Sequence, residues 1–169
     1  MQDVMSSTRP SRKPRAKPLS DPKKPTVLPP LAQRPGYLIR RLHQIHTALF
    51  AEECGDENIT PIMYSVISAL GQIGPVDQTN LAHTVAIDKT NMANLLERLR
   101  RRGLIQRSIL DTDRRVRIAT LTDEGRALLH RLDAKVESAH HRTVEHLGTK
   151  DQKLFVAMMK QIVDAAEHG

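Results

Sequence analysis

Residues 88–125 read DKTNMANLLERLRRRGLIQRSILDTDRRVRIATLTDEG, and the fold turns on how this stretch is parsed. Asp88 is a favoured N-cap residue, and Met92, Leu95, Leu96 and Leu99 recur at helical spacing until Gly103 stops the run. Two runs rich in β-branched and apolar residues follow, Leu104–Leu110 and Val116–Leu121, on either side of Asp111-Thr112-Asp113-Arg114-Arg115. Such a pair predicts a β-hairpin over 104–121. Thr122 then opens another helix, with Asp123 and Glu124 at its positive end.

Working outward, Thr60 and Pro61 suit an N-cap and a first helical position, for a helix running to about Gly71. Gly74-Pro75 breaks the chain, and 78–85 predicts a short helix. Helix, helix, helix, hairpin is the order of a winged helix-turn-helix. An earlier helix begins at Gly36, where Leu38, Leu42, Ile45 and Leu49 form a stripe beside Ile39, His46 and Phe50, and Gly55 closes it. The helix after Thr122 has Leu129, Leu132, Val136 and Ala139 on one side. After Gly148, a last helix presents Leu154, Phe155, Met158, Met159, Ile162 and Val163. Helices 37–53, 123–147 and 151–166 carry more apolar stripe than one small module can cover. The expected fold is mainly α with a small β wing, as a two-fold dimer with dimerisation helices at both chain ends. Such helices also space two modules roughly 34 Å apart, one DNA turn.

The net charge is +7, but +6 of it lies in residues 1–35, which also hold eight of the ten prolines. That segment is expected to be a disordered basic arm; Arg12-Lys13-Pro14-Arg15 within it also fits an import signal, but attraction to phosphate is simpler. Residues 88–117 carry +5, and the remainder sums to −4. Regions 36–57 and 123–169 are then the dimerisation part, and 58–122 the DNA-binding part. Four aromatics (Tyr37, Phe50, Tyr64, Phe155) leave an aliphatic core. One cysteine, no signal-peptide pattern and no apolar run of membrane length make a soluble cytoplasmic protein the expectation.

On the helix from 88, Lys89, Thr90, Asn91, Asn94 and Arg98 point away from the apolar side, toward a major groove. Arg114 and Arg115 sit at the hairpin tip, where guanidinium suits the negative potential of a minor groove. Ile59-Thr60-Pro61, Asn80-Leu81-Ala82, Asp88 to Met92, Arg102-Gly103-Leu104-Ile105, Asp111 to Arg115 and Leu121 to Gly125 together resemble the MarR family of bacterial regulators. The D-x-D-R-R and L-T-x-x-G elements are the most specific. The resemblance covers about residues 36–166. It implies a dimer on a pseudo-palindromic double-stranded operator, ligand-controlled repression, and Arg115, with Arg114, as the wing arginine. The stretch Gly36 to Leu70 is most similar to members governing aromatic-acid catabolism, including those responding to hydroxylated nicotinate.

The resemblance further implies an effector pocket between the dimer helices and the DNA-binding module. Polar groups within apolar faces there are His46, His43 at its edge, bordering Arg41, and Tyr64 on the next helix. An arginine or protonated histidine satisfies a carboxylate. The expected effector is a small aromatic carboxylate such as a hydroxybenzoate or hydroxynicotinate. No cofactor or metal is expected: His140, His141 and His146 diverge around a helix and read as a solvated face. Cys54 sits among Glu52, Glu53 and Asp56, which disfavour a thiolate. An enzyme lacks its motifs here, with neither nucleophile elbow nor phosphate loop nor zinc spacing. A protein–protein adaptor has no use for a basic helix and wing. Arg115→Ala is expected to weaken operator binding by about 1–3 kcal/mol while the dimer persists, as read by gel shift and sedimentation.

Overall fold

Local capping chemistry starts most of the helices. In the computed structural model, which describes residues 29–110 and 113–168, a short helix α1 (Pro29–Ala32) precedes the long α2 (Pro35–Cys54), with proline at its start. A 3₁₀ turn, Gly55–Glu57, leads to α3 (Pro61–Ile73), whose Met63 amide donates to the Thr60 hydroxyl. Strand β1 (Val76–Asp77) runs into α4 (Gln78–Thr84), where the Asp77 carboxylate accepts from the Thr79 and Asn80 amides. Asp88 does the same for α5 (Lys89–Arg101) through the Asn91 amide at 2.9 Å. Strands β2 (Ile105–Leu110) and β3 (Asp113–Leu121) follow, then α6 (Asp123–Val144) and α7 (Thr149–His168).

This is the expected winged helix-turn-helix: mainly helical, with one antiparallel sheet in the order β1-β3-β2. Three details differ from the sequence reading. Strand β1 pairs with β3 at Val76↔Ala119 and Asp77↔Ile118; two residues are too few for a periodic signal. Strand β3 begins at Asp113 rather than Val116; residues 111 and 112 lie outside the described residues. The ladder is regular from Ile105↔Leu121 to Ile109↔Arg117, then shifts to pair Leu110 with Asp113. Finally, α1 lies within the stretch read as a disordered arm; of that arm, residues 1–28 are outside the described residues.

The core runs without a break from Phe50 and Cys54 on α2, through Met63, Val66, Ile67 and Leu70 on α3, to Leu128, Leu132, Val136 and Ala139 on α6. Leu81 of α4 and the predicted Met92, Leu95, Leu96 and Leu99 of α5 complete it, with Ile105, Ala119 and Leu121 from the sheet. The core therefore crosses the boundary expected at residue 57. The stripe on α2 behaves differently. Leu38, Ile39 and Ile45 stay exposed, as do Leu154, Met158, Ile162 and Val163 on α7. Among the described residues no helix is long and apolar enough to cross a membrane.

The wing is pinned to α6 at one crowded junction. The Thr122 amide donates to the Leu104 carbonyl at 3.1 Å, and its hydroxyl donates to the Gly103 carbonyl at 2.7 Å. The same hydroxyl accepts the Gly125 amide at 3.1 Å, capping α6. A Cβ on Gly125 would stand 2.2 Å from the Leu104 carbonyl oxygen and 2.6 Å from Leu121 Cδ1. The first of these is backbone and cannot swing aside. This gives the glycine of L-T-x-x-G a steric reason. Gly125→Ala is expected to destabilise the fold by about 3 kcal/mol and Thr122→Ala by about 1 kcal/mol, measured by urea unfolding.

Candidate DNA interface and effector site

Burial of Met92, Leu95, Leu96 and Leu99 turns the opposite face of α5 outward. Lys89, Thr90, Asn91, Asn94 and Arg98 are all exposed on it. A shallow groove of about 350 Å³ beside this face brings Asn91, Asn94 and Arg98 together over Ile62, Ile87 and Leu95. Asn91 is the most constrained of the set. Its side-chain amide donates to the Asp88 carboxylate that also caps its backbone, so it is held at the helix mouth.

The basic cluster is smaller in space than in sequence. Arg100 and Arg101 both donate to Glu97, at 2.9 and 3.0 Å, and these hydrogen bonds hold the Glu97 carboxyl down to about 2. Arg102 donates to the backbone carbonyls of Asn58 and Glu57 at 2.6 and 2.8 Å, closing the turn before α3. Arg107 donates to Gln78 at 2.9 Å. The engagements of Arg102 and Arg107 span up to 45 residues, and no local pattern announces them. Arg117 is exposed. The backbone of Arg114 and Arg115 belongs to β3; their side chains, with Asp111 and Thr112, lie outside the described residues.

Of the four residues expected around an effector, the structure groups two about Phe50. The His46 ring lies 6.2 Å from Phe50 edge-on, and the Tyr64 ring 6.0 Å from it, tilted. His43 is exposed one turn before His46, near enough for its charge to act on it. Arg41 is not part of the group, because it faces out and donates to Gln44 at 2.8 Å. Tyr64 also lines an open cleft of about 320 Å³ between α3 and α6. Leu121 and Leu129 supply its apolar wall, and Ser68, Gln72, Arg126 and Asp133 its polar groups. Arg126 pairs with the fully exposed Asp123 at 2.9 Å, a bond weak enough to exchange. Sequence reasoning missed Arg126 because it belongs to the helix after the wing, far along the chain from Tyr64.

His46 has a defined protonation. The Thr143 hydroxyl gives its single proton to the Ala139 carbonyl at 2.7 Å, so His46 Nδ1, 2.9 Å from that oxygen, must be the donor. Burial, then the charges of His140 and His43, lower its pKa. A neutral ring therefore offers an acceptor at Nε2, and not the cation that a carboxylate contact requires. His140 is no isolated surface residue, since its ring lies 5.2 Å from His46. Cys54 is fully buried, and burial pushes its thiol pKa up, with Glu53 and Asp56 adding to the rise and Lys135 opposing it.

The sequence pattern of the MarR family matches residues 59–116. The HTH-type transcriptional repressor NicR of Pseudomonas putida is 28% identical over 139 residues, covering 82% of this chain and 88% of NicR. The PcaV transcriptional regulator of Streptomyces coelicolor, solved in complex with its natural ligand, is 30% identical with a TM-score of 0.73. That match covers 83% of this chain and 99% of PcaV. BpsR of Bordetella bronchiseptica, solved to explain regulation of its DNA binding by 6-hydroxynicotinic acid, is 28% identical. Its TM-score is 0.75, over 79% of this chain and 95% of BpsR.

The His46 shift has a sign that can be measured. Because the folded pKa lies below the unfolded value of about 6.5, the unfolded chain takes up the proton first as pH falls. His46 then stabilises the fold above pH ~6.5, and that contribution is lost as pH drops to the folded value. Urea unfolding at several pH values is expected to show this loss, and His46→Gln to flatten it.

Proposed function

Because this chain belongs to the MarR family and is a transcription regulator, we propose that it represses genes as a dimer on a pseudo-palindromic operator and is released by a small aromatic carboxylate. The observation that carries this reading is the outer face of α5. Lys89, Thr90, Asn91, Asn94 and Arg98 stand exposed there, while Arg100, Arg101 and Arg102, though also exposed, are paired within the chain. Short polar chains at the helix mouth suit base edges, and Lys89 and Arg98 suit phosphates. Arg114 and Arg115, where β3 begins, would take the adjacent minor groove. The exposed apolar faces of α2 and α7 support a second copy as their cover. Acting on operator DNA, the dimer works in the cytoplasm.

For the effector, the likeness to BpsR and PcaV supports an aromatic acid. In the cleft between α3 and α6, the ring of such an acid would lie against Leu121, Leu129 and Tyr64. Its carboxylate would take Arg126 from Asp123, replacing an exposed pair by a charge-assisted contact. His46, held beside Thr143 and far along α6 from Arg126, is not among the residues that line this cleft. This divides the work differently from the sequence reading, which gave the carboxylate to Arg41 and to protonated His43 or His46.

Fluorescence anisotropy on the DNA upstream of the protein's own gene tests the reading. Affinity is expected to fall steeply with salt. Hydroxybenzoates or hydroxynicotinates are expected to release the DNA. Arg126→Ala should then need about tenfold more acid for half-release, a loss of about 1.4 kcal/mol, with DNA affinity unchanged. Equal release of both proteins removes Arg126 from the site, and a flat salt response removes DNA from the function.

A further inference from the structure

Arg107 sits where a charged residue is costly, and what it holds points to a role. Arg107 on β2, Ala119 on β3 and Val76 on β1 lie opposite one another across the sheet, so their side chains leave it on one face. Ile105, two residues earlier on that face, is buried in the core. Ala119 is small and buried, and the guanidinium passes beyond it to Gln78, the residue that follows β1. Arg107 Nη2 donates to Gln78 Oε1 at 2.9 Å, and Gln78 Nε2 donates to the Lys89 carbonyl at 3.3 Å. Lys89 is the first residue of α5. Arg107 Nε is buried and, among the described residues, has no hydrogen-bond partner. A guanidinium with an unmet buried donor is a poor device for stability alone.

The two bonds form one chain from the wing, through the first residue of α4, to the first residue of α5. We infer that Arg107 and Gln78 are positioning residues which set the angle between the wing and α5, and so the discrimination between specific and non-specific DNA. The inference rests on the reading of α5 as the DNA-reading helix. Phosphate attraction tolerates a small change of that angle, because charge contacts are broad and carry no sequence information. Hydrogen bonds to base edges do not tolerate it. Neither residue needs to touch DNA for this effect. Gln78 is the centre of the chain: its carbonyl oxygen serves the wing and its amide nitrogen serves α5.

The test uses the full chain and two duplexes. One is the tightest 24-bp duplex that the wild-type protein selects from a random pool, and the other is its scrambled counterpart. The ratio of their affinities is expected to fall about tenfold in Gln78→Ala and in Arg107→Ala. The double variant should be no worse than the poorer single one, as for members of one network. Gln78→Glu keeps an acceptor for Arg107 but removes the donor to Lys89, and it should lose the ratio as well. Affinity for the scrambled duplex is expected to keep its salt slope in all of these. A wild-type ratio in Gln78→Ala or Gln78→Glu overturns the inference, even where Arg107→Ala fails to fold. Additive losses in the double variant overturn it too. A salt slope shallower by about one in Arg107→Ala overturns it in favour of a direct phosphate contact. A pool that yields no enriched duplex overturns instead the proposed function on which the inference rests.

Discussion

The start of α6 lies so close to the turn after α5 that only a hydrogen atom fits between Gly125 and the Leu104 carbonyl. Three hydrogen bonds through Thr122 hold that approach. Everything else takes its bearings from it. The approach fixes where β3 leaves the sheet, hence where the wing stands relative to α5. It also sets the direction in which α6 departs toward α2. A side chain at residue 125 would push these two elements apart at their common root.

From that root, α6 is joined to the end of α2 by a seam of opposite charges. Arg131 pairs with Glu57, Lys135 with Asp56, and Arg142 with Glu52 and Glu53. These groups are exposed or only partly buried, so each pair adds little energy, but together they line up one helix against another. Arg102 extends the seam to the end of α5 by holding the carbonyl of Glu57 while the Glu57 side chain holds Arg131. Glu57 is thus gripped from two sides, by the residue that closes α5 and by α6. A ligand that shifts α6 against α3 acts on a contact that already reaches the end of α5.

Much of this was legible because it is local. Thr60, Asp77, Asp88 and Thr122 bond within two or three residues. Of these, Thr60, Asp88 and Thr122 announced their helices in the sequence. The apolar period of α5 also showed which of its faces would be exposed. What sequence could not show depends on distant partners. Arg102 and Arg107 read as surface charge because Asn58 and Gln78, which engage them, are many residues away. Arg41 and His46 looked alike as candidate cations on one helix, yet burial beside His140 lowers the His46 pKa while the Thr143 hydroxyl accepts its Nδ1–H, and Gln44 occupies Arg41. Strand β1 is visible only once β3 lies beside it.

The uncovered face of α7 has a consequence for how much of this protein a cell can hold. Leu154, Met158, Ile162 and Val163 lie along a twenty-residue helix with their apolar surface in water, and a helix of this length draws most of its persistence from packing. With a second copy as the proposed cover, that packing obeys mass action. A dilute chain leaves α7 frayed and open to proteases, and a concentrated one protects it. The regulator's lifetime then rises with its own abundance, so that its level is set partly by turnover at this end of the chain.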